Sequence, residues 1–253
     1  MNENDFFQGI EHTPVPWRKY QLYVPIFYLD FMFMSVSILT PLKRLHAILP
    51  SKRLKPYRIT PWHGALSITA YQYRESDLGP YNELSISIPV TLDKETPIFT
   101  GSLRKMPEPL MAYVIHLPVT TEIAREVGAE FAGYPKFIAD IEFIEEGNWI
   151  TCELKEENQQ LLRLRCRKLE LNRVPRFYLN PITYRGGYLL RSEFVISERG
   201  MGNSKNGRDV ELEFGDHQIS EELRDMRLGR VLGYQYCPQT QGILTPVFES
   251  YSK

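Results

Sequence analysis

Glu83-Leu84-Ser85-Ile86-Ser87-Ile88-Pro89-Val90-Thr91-Leu92 places apolar side chains, Leu84, Ile86, Ile88 and Val90, at every second position against polar partners. A period of two is what a β-strand with one buried face requires. Residues 64–73 read as a second strand, and Asp77-Leu78-Gly79-Pro80-Tyr81-Asn82 between the two has the Gly, Pro and Asn chemistry of a turn, so the pair predicts a hairpin. Working outward, residues 22–39 are long and mostly apolar, approaching the roughly 20 residues of a membrane span. They contain Pro25, Asp30, Ser35 and Ser37, however, and the strand formers Tyr23, Val24, Ile26, Phe27, Tyr28 and Phe31. The stretch reads as one buried strand or two, broken near Asp30, with a membrane-associated segment as the alternative.

Further strands follow. Residues 109–117 form a continuous apolar run, as expected of a strand buried on both faces, and His116 in it reads as a packed core histidine rather than a ligand. Residues 136–144, 149–155 and 161–169 read as strands, and residues 242–251 as the last one. Arg163, Arg165 and Arg167 alternate with Leu162, Leu164 and Cys166 and so share one face. With Glu153, Glu156 and Glu157 on neighbouring segments, that face reads as a solvated sheet surface with cross-strand ion pairs rather than a phosphate site.

Three short helices punctuate the strands. Residues 41–49 carry Leu42, Leu45, Ile48 and Leu49 at helical spacing, ended by Pro50. Residues 120–130 have a threonine for a cap, Glu122 in the first turn, Ile123, Ala124 and Val127 on one stripe, and Gly128 to close the helix. Residues 220–228 begin at Ser220 and carry Leu223 and Met226 inward. The Gly- and Asn-rich residues 199–209 read as a mobile loop and a candidate lid. Many strands, few helices and no βαβ alternation predict a largely antiparallel sheet closed around an apolar interior, as one domain over residues 1–253.

The chain has 253 residues, 43% apolar, and a formal net charge of -1, which implies neither a nucleic-acid nor a membrane partner. Cys152, Cys166 and Cys237 are widely spaced and odd in number, so they suggest neither a disulfide framework nor a zinc site. With a polar, acidic N-terminus lacking a secretory pattern, the expectation is a cytoplasmic protein.

Chemistry centres on Glu130-Phe131-Ala132-Gly133-Tyr134-Pro135-Lys136, where helix gives way to an apolar segment. A lysine desolvated in such surroundings readily loses its proton and becomes a nucleophile toward carbonyls. The residues alone favour the plainer reading, a structural or solvated lysine at the head of a surface strand.

This segment resembles the aromatic-Pro-Lys motif of the acetoacetate decarboxylase family, and Lys136 falls on the lysine that forms the Schiff base. Leu117-Pro118-Val119-Thr120-Thr121-Glu122-Ile123-Ala124 is similar to the family's lead-in helix. Leu78-Gly79-Pro80-Tyr81-Asn82-Glu83 followed by Ile88-Pro89-Val90 resembles its Gly-x-Tyr-x-Glu hairpin, which puts Glu83 on the active-site glutamate. Residues 40–50 and 214–251 are similar to its early helix and C-terminal helix and strand, so the likeness runs nearly end to end. It implies a cone-like antiparallel β-barrel around a buried pocket, homo-oligomeric assembly, a small-molecule keto acid as substrate, and neither metal nor organic cofactor. Lys136 and Glu83 would be catalytic, and Tyr134 would line the pocket.

Three positions depart from the family pattern. Phe137 stands where a second lysine follows the nucleophile, Ile68 falls on the second pocket glutamate, and Phe31 falls near the pocket arginine. If these line the pocket, they suit a larger and more apolar substrate than acetoacetate. The expectations are therefore a Schiff-base decarboxylase of a β-keto acid, a Schiff-base aldolase or dehydratase of an α-keto acid, or a non-catalytic barrel for an apolar ligand.

Overall fold

The hairpin inferred from residues 64–92 is the centre of a closed barrel. A computed structural model describes residues 6–95, 109–197 and 200–252. Seven strands make the barrel: β1 (Ile26–Pro41), β2 (His63–Ser76), β3 (Tyr81–Leu92), β4 (Leu110–His116), β5 (Phe177–Arg185), β6 (Phe194–Ile196) and β7 (Val231–Leu244). They pair in that order, and β6 closes the ring by pairing with both β5 and β7. All neighbours are antiparallel except β4 and β5, which run parallel.

A four-stranded antiparallel sheet, Asp140–Glu146, Trp149–Glu156, Gln159–Arg167 and Val210–Phe214, packs on the barrel wall. Its Ile150, Cys152, Leu154, Leu162 and Leu164 share one core with Met34 and Val36 of β1, Leu66 and Ile68 of β2, and Leu84, Ile86, Ile88 and Val90 of β3. The apolar stripe that marks β3 as a strand therefore points out of the barrel into this inter-sheet core. The interior takes the alternate residues, so the expectation of an apolar interior is corrected. Around β2 and β3 it is aromatic at one end and hydroxyl-bearing at the other.

Residues 22–39 divide at Pro25, not at Asp30. Pro25 has no N–H for a ladder, and Tyr20–Val24 before it pairs with Thr13–Trp17 instead. At Asp30 the strand continues through an irregularity in its register with β2. No helix among the described residues is long and apolar enough to cross a membrane.

Helix α1 spans Leu42–Ile48, α2 Glu122–Ala132 and α3 Gln218–Asp225. α2 continues past Gly128 and ends at Gly133, whose φ of 64° is the left-handed conformation that glycine adopts without strain. Residues 134–139 are irregular, and the strand expected from Lys136 begins at Asp140. The expected loop at residues 199–209 contains the strand Gly200–Ser204, paired with β7, and a 3₁₀ turn at Gly207–Asp209. Arg199 lies outside the described residues. His116 sits at the end of β4, half-buried, with Nε2 3.1 Å from Glu222 of α3, and burial lowers its pKa. The three arginines meet acidic partners: Arg163 lies 3.5 Å from Glu153 and Arg165 2.9 Å from Glu211 on the adjacent strands, and Arg167 3.7 Å from Asp209 in the 3₁₀ turn.

The outward position of Ile68 makes a direct prediction. Ile68→Ala should lower the unfolding free energy by about 2–5 kcal/mol in urea titrations while leaving small-molecule affinity for the barrel cavity unchanged.

Candidate active site

Glu83 opens β3 on its inward face, opposite Tyr71 of β2. Lys136 reaches it from the irregular segment after α2. That segment is held by the chain that continues β4: Leu117 N–H donates to Pro135 O (3.2 Å) and Val119 N–H to Phe137 O (2.9 Å). Ala139 N–H in turn donates to Val119 O (3.0 Å). With residues 135 and 137 pinned, Lys136 extends inward and its Nζ donates to Glu83 Oε2 at 2.8 Å. Both side chains are nearly enclosed, 5% and 9% exposed.

Gly128 makes room for this arrangement. A Cβ added there would lie 2.6 Å from Lys136 Cε, 2.7 Å from Cδ and 3.1 Å from Nζ. The residue expected to end α2 instead lets the lysine stem lie against the helix.

Phenols surround the pair. Tyr73 Oη donates to Glu83 Oε1 at 3.4 Å, Tyr28 and Tyr81 share a hydroxyl contact of 3.2 Å, and Tyr134 Oη lies 3.0 Å from Ser192 Oγ. Lys136 Nζ stands 5.6 Å from the Tyr81 ring centre and 5.7 Å from that of Tyr134, within reach of cation–π attraction. Burial, followed by the nearby Glu83 carboxyl, raises the pKa of Tyr28, Tyr71 and Tyr73 well above the ordinary phenol value. Burial also raises Tyr81 and Tyr134. These phenols therefore remain O–H groups.

Lys136, Glu83 and Tyr134 line a cavity of about 150 Å³ inside the barrel. Lys136, Tyr28 and Tyr134 also border a smaller, mainly apolar cavity of about 80 Å³ between α2, the Tyr20–Val24 strand and the end of β7. The amine thus stands at the junction of two spaces. Among the described residues, Lys136 and Glu83 are the only charged groups lining the larger one. No cluster of three His, Cys, Asp or Glu side chains that could hold a metal occurs among the described residues.

The structure joins Lys136, Glu83 and Tyr134 and separates the other three sequence-derived pocket positions from the cavity. Ile68 points into the inter-sheet core, and Phe137 packs against that same core on the side away from the amine. Adjacent residues in an extended chain face opposite ways, which removes both from the pocket. Phe31 is completely buried behind the lining, with its ring centre 5.2 Å from Tyr73 and 5.8 Å from Phe194. Tyr28, Tyr73, Tyr81 and Gly128 were not marked as site residues from the sequence. The alternation through Thr69, Tyr71 and Tyr73 would have marked the lining only once the inward face of β2 was known.

The acetoacetate decarboxylase family model matches residues 12–241, and the chain belongs to that family. Among solved structures, it is similar to acetoacetate decarboxylase from Legionella pneumophila subsp. pneumophila str. Philadelphia 1, with a TM-score of 0.66 and 14% identity over 98% of this chain and 95% of that one. The enduracididine biosynthesis enzyme MppR complexed with pyruvate has a TM-score of 0.62 and 13% identity over 95% and 98% of the two chains. An acetoacetate decarboxylase-like enzyme from Sphingomonas wittichii RW1 has a TM-score of 0.54 and 14% identity over 88% and 92%. At such identities the likeness establishes the fold. No curated protein sequence matches the chain.

The contact at Gly128 yields a test of the site's construction. Gly128→Ala should lower the melting temperature, since the gain of about 1 kcal/mol from alanine in a helix interior is smaller than the cost of pushing the buried Lys136 stem away from Glu83. It should displace the lysine stem, so the labelling of Lys136 by an amine-directed reagent, read by peptide mass spectrometry, should change at least several-fold.

Proposed function

We propose that the protein is a Schiff-base enzyme that decarboxylates a β-keto acid, with Lys136 as nucleophile and Glu83 as its proton partner. The observation that carries the reading is the 2.8 Å contact between Lys136 Nζ and Glu83 inside an aromatic cavity. Glu83 takes the ammonium proton, and the free amine attacks the ketone carbon. After the carbinolamine forms, Glu83 returns that proton to its hydroxyl, which leaves as water and yields the iminium. The bond to the carboxylate then breaks, its electron pair moves toward the iminium nitrogen, and carbon dioxide departs. Protonation of the enamine carbon and hydrolysis release the ketone and regenerate the ammonium.

The surroundings support this order of events. Rings of Tyr28, Phe33, Tyr73 and Phe194 line the cavity, and these groups solvate a carboxylate far less well than water does. Loss of that charge as neutral carbon dioxide is favoured there. The expectation of a larger, more apolar substrate loses all three of its supports, because Ile68, Phe137 and Phe31 lie outside the cavity lining. A second reading, carbon–carbon bond formation or dehydration on an α-keto acid, is favoured by the likeness to MppR, a structure complexed with pyruvate. Both readings use the same amine.

Borohydride reduction in the presence of acetoacetate, a longer β-keto acid or pyruvate distinguishes them by the mass of the Lys136 peptide. An adduct with a β-keto acid accompanied by carbon dioxide is the expected result. An adduct with pyruvate and no carbon dioxide from any β-keto acid would replace the first reading with the second, and no adduct with any of them would remove both. Lys136→Ala should abolish trapping, and Glu83→Gln should slow it by about 10²–10⁴-fold.

A further inference from the structure

Beyond the aromatic end, the barrel wall carries two transverse rows of uncharged hydrogen-bonding side chains. In the first, Gln235 of β7, Ser35 of β1, Thr69 of β2 and Ser85 of β3 are consecutive cross-strand partners. In the second, Ser37, Ser67 and Ser87 follow one another across β1, β2 and β3. All but Ser37 line the same cavity as Lys136 and Glu83. At about 3.3 Å per residue along a strand, the first row lies about 7 Å from the level of Glu83 and the second about 13 Å.

Within the rows, Ser35 Oγ and Thr69 Oγ1 are 2.8 Å apart, Ser37 and Ser67 hydroxyls 3.4 Å, and Gln235 Nε2 donates to Asn203 Oδ1 at 3.3 Å. Ser85 and Ser87 face the cavity with no side-chain partner among the described residues, although Ser87 is only 7% exposed. Neither hydroxyl is sealed in the wall, so each opens onto the cavity, and a hydroxyl that a ligand satisfies there discriminates in favour of that ligand. The facing wall, from β4 and β5, is apolar: Leu110, Ala112, Leu179 and Pro181. No charged side chain among the described residues lines this end.

We propose that these rows form a specificity subsite for an uncharged arm of the substrate, bearing a hydroxyl or other neutral hydrogen-bonding group about 7 Å from the carbonyl. Thr69, Ser85 and Ser87 are the specificity-determining residues. The apolar wall opposite accommodates the methylene face of the same arm. The proposal rests on the reading of Lys136 as the carbonyl-binding amine and names the substrate class for that site.

The test uses three methyl ketones of equal length, ending in a primary hydroxyl, a methyl group or a carboxylate. Their binding to the intact protein is measured by isothermal titration calorimetry, alongside borohydride trapping. The hydroxyl ketone should bind about tenfold more tightly than the methyl isostere, and more tightly than the carboxylate. Thr69→Val and Ser85→Ala, made separately so that one poorly folded variant does not decide the matter, should each reduce that preference at least threefold. Lys136→Ala should weaken all three ligands yet keep their order. Equal binding of the hydroxyl and methyl ketones, tighter binding of the carboxylate, or an unchanged preference in both wall variants would overturn the subsite and leave the rows as a hydrated channel wall. A hydroxyl preference without borohydride trapping would uphold the subsite as a binding feature and remove the Schiff-base reading.

Discussion

Along β1, β2 and β3 the pleat sends Met34, Val36, Ile68, Ile86 and Ile88 outward, where the four-stranded sheet covers them. The same pleat sends Phe33, Ser35, Thr69, Tyr71, Glu83 and Ser85 inward. Burial of the outward face under a second sheet is the constraint on which the site depends. It puts the branched aliphatic residues, each contributing on the order of 1.5–3 kcal/mol when fully buried, outside the barrel. The interior is then available for rings, hydroxyls and one ion pair without the barrel wall losing its hydrophobic support.

The ion pair exploits that freedom. Lys136 and Glu83 are both almost enclosed, and a charge left alone at such a place costs about 3–5 kcal/mol. Each therefore depends on the other as well as on its own element. The chain after β4 supplies the N–H groups that grip Pro135 and Phe137, while α2 supplies the space at Gly128. The site is a junction of three segments far apart in sequence, and its geometry follows from ladder-like hydrogen bonds rather than from a loop's own preferences. Two cavities of different character meet at the amine, one bordered mainly by aliphatic side chains and one leading to the hydroxyl rows. The two spaces differ in chemistry as well as size.

Much of this was legible one segment at a time. The hairpin and the three helices each follow from local pattern and turn chemistry, and the Lys136 and Glu83 motifs point to one family. The errors share a cause. Gly128 was expected to stop a helix because glycine is a poor helix former, but contact with Lys136 explains its presence within α2. Ile68 and Phe137 were placed in the pocket by counting along the chain, and counting does not give the direction of a side chain. Residues 200–204 were expected to be a loop from their glycine and asparagine content, yet they pair with β7, because tertiary pairing outweighs weak strand preference.

The sequence by itself determined the alternation of β3, the turn that leads into it, and the identity of the two charged groups that meet in the barrel. Those depend on local sterics and on residue chemistry. Tertiary structure alone decided which phase of the alternation faces the cavity, because the two faces of a strand become inequivalent only when something packs on one of them. The four-stranded sheet made that choice for β3. The apolar residues that announce the strand became its buried outer face, and the polar residues between them, beginning with Glu83, became the wall of the site.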